Sequence, residues 1–181
     1  MGNGAQTQQY TVGKYLERLI TVKWSPLGQE WSLPTSNALP WIRSLHCYLK
    51  SVNRTYKYLS IRVKLSQKPV SRIKVNGATF KRYNGYMPSL YNFTVDGCKF
   101  IKNPKSNPVA HYIYRLFKDF SNVNYTCPFN DDPIIEKLPI SYVNKQVTSV
   151  LPVPSGDYLF SSHWYFYDTK RITINVYLTI F

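Results

Sequence analysis

Leu59-Ser60-Ile61-Arg62-Val63-Lys64-Leu65 decides how this chain folds. Every odd position is apolar and every even one is polar. Successive side chains of a strand point to opposite faces, so the spacing predicts a strand with one buried and one wet face. The C-terminal stretch repeats the pattern: Ile172, Ile174, Val176, Leu178 and Ile180 alternate with Thr173, Asn175, Tyr177 and Thr179. Residues 70–82 repeat it more loosely, with Ile73, Val75 and Phe80 expected in the core. Asn84-Gly85 signals a turn, Pro88 closes it, and residues 91–100 read as the next strand. Pro154-Ser155-Gly156-Asp157 opens a strand over residues 158–167, and Asp168-Thr169-Lys170 joins that strand to the last one.

One segment breaks this rhythm. After Asn107-Pro108 come Val109, Tyr112, Ile113, Leu116, Phe117 and Phe120, an apolar stripe at helical spacing. Asn107 suits the N-cap and Pro108 the first helical position, so an amphipathic helix is expected over about 108–121, lying on the strands. Short strands punctuated by turn signals, without a strand–helix–strand rhythm, predict an all-β antiparallel sandwich with that one helix inserted. Residues 1–44 fit less well. Met1 to Tyr10 is polar, residues 13–24 allow a weak helical turn or a strand, and residues 26–41 are a Pro-punctuated loop. The sandwich domain is therefore expected over 45–181, after an atypical, largely irregular segment.

Composition narrows the function. The 181 residues carry a net charge of +14, with 16 Tyr and 9 Phe. From Ser44 onward there are 19 Lys and Arg against 7 Asp and Glu. Such a balance attracts anionic partners, though it serves general solubility equally well. Lys50, Arg54, Lys57, Arg62, Lys64, Arg72 and Lys74 are scattered among apolar positions rather than clustered, which argues against a nucleic-acid partner. No apolar run has the ~18–20 residues of a membrane span. No signal peptide is read at the start, and Gln6 stands where a myristoylation motif needs Ser or Thr.

No catalytic constellation emerges, and no cofactor is expected. His46, His111 and His163 are far apart, and Asp131-Asp132 sits in a turn-like segment where Asp bonds local backbone. The cysteines, Cys47, Cys98 and Cys127, lack metal-ligand spacing. A Cys98–Cys127 bridge would pin the helical excursion to the sheet, but three buried thiols in a reducing compartment would read the same. Asn53-Arg54-Thr55, Asn92-Phe93-Thr94 and Asn124-Tyr125-Thr126 are glycosylation triplets, of which chance alone supplies about two.

Several longer motifs bear on this choice. They are CYLKSVNR at 47–54, KRYNGYMP at 81–88, LYNFTVDGCKF at 90–100, NPKSNP at 103–108, NYTCP at 124–128 and LPVPSGDY at 151–158. Through them about three quarters of the chain resembles an insect family of secreted proteins, domain of unknown function 1091, with chemosensory CheB-like members. Cys127-Pro128, Leu138-Pro139 and the Pro-x-Gly-x-Tyr of residues 154–158 resemble, more distantly, the MD-2-related lipid-recognition (ML) superfamily.

The resemblance implies an immunoglobulin-like sandwich whose sheets gape around an apolar ligand. It implies extracellular placement, a Cys98–Cys127 disulfide, and glycans at Asn53, Asn92 and Asn124. Family members usually begin with a signal peptide and an early strand bearing a cysteine that could partner Cys47. Residues 1–44 match neither, so a misassigned start or a divergent exon, an unpaired Cys47 and a missing edge strand are expected. A lipid-like ligand would lie against Leu59, Ile61, Val63, Ile73, Val75, Phe80, Phe160, Ile174 and Val176. The competing expectation is a basic adaptor for a protein partner, a receptor, or an anionic lipid or glycan surface, with no ligand cavity. Neither reading is an enzyme.

Overall fold

The structure, a computed structural model, describes residues 20–25, 42–150 and 154–180. Eight strands form two antiparallel sheets. They are β1 (Ile20–Ser25), β2 (Ile42–Ser51), β3 (Lys57–Leu65), β4 (Ile73–Arg82), β5 (Tyr86–Asp96), β6 (Ile134–Pro139), β7 (Gly156–Phe166) and β8 (Thr169–Ile180). The larger sheet has the order β1-β8-β7-β4-β5 and the smaller β2-β3-β6. Helices α1 (Gly97–Lys102) and α2 (Pro108–Arg115) follow β5, and α3 (Ile140–Val150) follows β6.

Alternation in β3 resolves as expected on its inner face. Leu59, Ile61, Val63 and Leu65 are buried, while Arg62 and Lys64 are exposed. Ser60 departs from the pattern. It is buried although its parity points outward, because the β3–β6 register shifts between Leu59 and Ile61. There Lys137 adopts a positive φ of 49°, and its N–H donates to the Ser60 hydroxyl at 3.0 Å. A buried hydroxyl thus satisfies a backbone group that the bulge would otherwise orphan.

Local chemistry moves several expected boundaries. The strand expected over 91–100 runs instead from Tyr86 to Asp96, where the Asp96 carboxylate accepts from the Lys99 N–H at 3.0 Å and starts α1. Cys98 is therefore helical. Asn107 caps α2 through the Ala110 N–H at 3.0 Å, with Pro108 in the first turn. The helix ends at Arg115 rather than 121. Leu116 and Phe117 donate to carbonyls three residues back, and a separate 3-10 turn covers Lys118–Phe120. Such bonds tighten and terminate a helix. The β7–β8 turn is Tyr167-Asp168, both at positive φ as a two-residue hairpin requires. Asp168 is fixed there by Arg72 at 2.6 Å and Lys74 at 3.1 Å.

The expected boundary at 45 falls inside β2, which begins at Ile42. An edge strand is also supplied from within residues 1–44: β1 pairs with β8, from Ile20 opposite Leu178 to Ser25 opposite Thr173. The rest of that segment lies outside the described residues.

The core closes where Val70, Phe129, Phe166 and Ile172 meet, each at most 4% exposed. Val70 and Phe129 exchange backbone bonds of 2.9 and 2.8 Å. Beside them Cys127 is disulfide-bonded to Cys98, with a Cα–Cα distance of 5.3 Å. This fixes the start of the helical excursion to its end. The bridge spans 29 residues, and chain-entropy arguments assign such a loop about 3–4 kcal/mol. Replacing both cysteines with Ser is expected to lower the urea-unfolding free energy by about that amount. An unchanged midpoint would contradict the bridge's structural role.

Candidate ligand cavity

Beyond the closed Val70 end, apolar side chains of the two sheets line a gap between them. The gap is a cavity of about 1180 Å³. It follows β4 from Ile73 to Lys81, about 26 Å at ~3.3 Å per residue. β3 supplies Leu59, Ile61 and Val63 from one side. β4, β7 and β8 supply Ile73, Val75, Phe160, Ile174 and Val176 from the other. Eight of the nine residues expected to line a ligand site are thus brought together.

Phe80 is the exception and does not line the cavity. Ile73, Val75, Thr79 and Lys81 share the inner face of β4, and Phe80, at an even position, has the opposite parity. Its neighbour Lys81 therefore faces the gap. Beneath this wall Gly77 lies directly opposite Phe93 on β5. A Cβ at Gly77 would come within 2.5 Å of the Phe93 ring, so the glycine leaves room for the end of that ring.

The helices close one flank. Phe100 and Ile101 of α1 and Ala110, Ile113 and Tyr114 of α2 line the cavity. So do Ile140, Val143, Asn144 and Val147 of α3, an element the strand-centred reading did not foresee. Their i, i+3, i+4, i+7 spacing was the available signal. At the end away from Val70, the exposed residues Tyr83, Pro88 and Pro154 also line the space, so the cavity opens to solvent there. Burial, and secondarily the nearby Tyr91, holds the Tyr112 phenol above its usual pKa. Tyr112 and Tyr91 both line the wall.

None of His46, His111 and His163 lines the cavity. Among the described residues no cluster of three or more His, Cys, Asp or Glu could hold a metal ion. Asp132 serves the backbone, accepting from the Leu65 N–H at 3.0 Å and from Lys68 at 2.7 Å. Asp131 accepts from the Tyr125 hydroxyl at 3.3 Å. Asn53, Asn92 and Asn124 are all exposed. The Asn53 carboxamide oxygen orders the β2–β3 turn by accepting from the Thr55 and Tyr56 N–H groups.

Fold and cavity together define a β-sandwich with an apolar chamber between its sheets. Residues 75–160 match the family described as a protein of unknown function (DUF1091). The matched span runs from β4 through the disulfide, all three helices and β6 into β7. A search of the curated proteins found no match.

Cys47 is the free cysteine, and it is buried with Leu45, Leu49 and Ile61. Burial pushes its thiol up to about 12. The reactive thiolate is therefore scarce at neutral pH. A thiol reagent at pH 8 is expected to label the native protein only as fast as it unfolds. Rapid stoichiometric labelling in the absence of denaturant would contradict this placement.

Proposed function

We propose that this protein binds a lipid-like or other apolar ligand between its sheets and performs no catalysis. The supporting observation is the size and chemistry of the gap. Protein interiors are normally close-packed. Empty, a gap open to solvent at one end leaves these apolar walls in water, at about 25 cal/mol for each Å² of apolar surface left unburied. An apolar occupant removes that cost. A single acyl chain spans about 15 Å, half of the ~30 Å bilayer hydrocarbon core, and so fits within the length of the gap.

The resemblance to secreted insect proteins, and through them to the ML superfamily, supports the same reading. On that basis the protein works extracellularly as a carrier or modulator of lipid-like cues, in a chemosensory setting, with glycans at Asn53, Asn92 and Asn124. The disulfide fits an oxidising compartment. No helix among the described residues is long and apolar enough to cross a membrane.

A second reading rests on a separate surface. On the outer face of the small sheet, Lys50, Arg62 and Lys64 are exposed beside Tyr48. This suits an adaptor for an anionic lipid, glycan or protein surface, and its binding would weaken with salt because exposed charges are screened beyond ~8 Å at physiological ionic strength.

Titration with the neutral fluorophore N-phenyl-1-naphthylamine separates the two readings. The ligand-binding reading expects saturable binding that is insensitive to salt. Val143→Trp fills the chamber from the partly exposed helix α3 and is expected to weaken binding at least tenfold with an unchanged circular dichroism spectrum. Absence of saturable binding to the wild-type protein would remove the cavity reading.

A further inference from the structure

Lys81 is the one charged residue among the described residues that line the cavity. It stands on the inner face of β4, opposite Tyr158 of β7, at the solvent-open end. Its ammonium lies 5.4 Å from the Tyr158 ring centroid and 5.6 Å from that of Tyr83. Gly156 makes room for the side chain: a Cβ there would come within 3.2 Å of Lys81 Cε.

No carboxylate among the described residues pairs with this ammonium. The nearby acid, Asp157, is engaged elsewhere, accepting from the Thr179 hydroxyl at 2.8 Å and meeting Arg82 at 3.6 Å. Two aromatic faces orient a cation but do not neutralise it. A wholly apolar ligand filling the chamber would strip water from Lys81 and offer nothing in return, and an unpaired charge at such a boundary is costly. An anion would complete the site with a charge-assisted hydrogen bond.

We infer that the occupant is an amphiphile with one anionic head group, a carboxylate or a phosphate, held at Lys81 with its tail directed towards Phe166 and Ile172. The inference rests on the cavity-binding reading above and names the ligand class for it.

Displacement of N-phenyl-1-naphthylamine from the full chain tests this. The competitors are palmitate, hexadecyl phosphate and methyl palmitate, used below their aggregation limits at pH 7.4. At least one of the two acids is expected to compete tenfold or more better than the ester, and the stronger one identifies the head group. Lys81→Met keeps the aliphatic stem and is expected to abolish this preference, so that acids and ester displace the fluorophore equally. Lys81→Arg is expected to retain it.

Equal competition by acids and ester in the wild-type protein overturns the head-group assignment while leaving the cavity reading intact. A preference that survives in Lys81→Met also overturns it. Failure of the fluorophore to bind the wild-type protein overturns both readings. The wild-type comparison does not depend on the folding of either variant.

Discussion

The two sheets are closed against each other at one end and held apart at the other. Val70, Phe129, Phe166 and Ile172 form the closed end, and the Val70–Phe129 backbone pair joins the segments that carry them. The Cys98–Cys127 bridge anchors the helical excursion beside this seam. Away from it, apolar side chains of β3 and β8 line a cavity that a filled sandwich would lack. The chamber, its helical flank and Lys81 at its mouth all depend on that asymmetry.

The helices make the gap possible. A sandwich whose sheets diverge exposes apolar inner faces at its sides, and exposed patches of that size invite association. Here α1 and α2 follow β5, and Phe93, Phe100, Ala110 and Tyr114 form a second small core beside the first. The Tyr114 hydroxyl donates to the Val123 carbonyl at 2.8 Å, tying α2 to the segment leading to the disulfide. Helix α3 adds Val143 and Val147 from the chain between β6 and β7. The largely apolar chamber is thereby covered without being filled.

Much of the architecture is legible in the sequence because period-2 alternation is a local property. β3, β4 and β8 announce themselves that way, the turn at Pro154 to Asp157 marks the start of β7, and Asn107-Pro108 marks that of α2. Parity also orients two residues near the end of β4. Ile73 and Val75 fix odd positions of β4 as inward, which turns Phe80 away and Lys81 in. Other features were hidden for physical reasons. The end of α2 depends on three-residue backbone bonds that no side chain signals. Asp96-Gly97 is a capping signal inside a stretch that otherwise reads as strand. Helix α3 is rich in Val, Ser and Thr, whose intrinsic helix propensity is low, so tertiary packing decides it. The separation of the sheets is set by contacts between distant segments, and alternation states only which side chains face inward.

Native mass spectrometry of the protein, purified from a eukaryotic secretory host without detergent, tests the central claim most directly. A chamber of this size and chemistry predicts a mass above that of the polypeptide with any attached glycans, the excess being released on denaturation as extractable amphiphile. A native mass equal to polypeptide plus glycans, reproduced across preparations and unchanged after incubation with lipid, would contradict it.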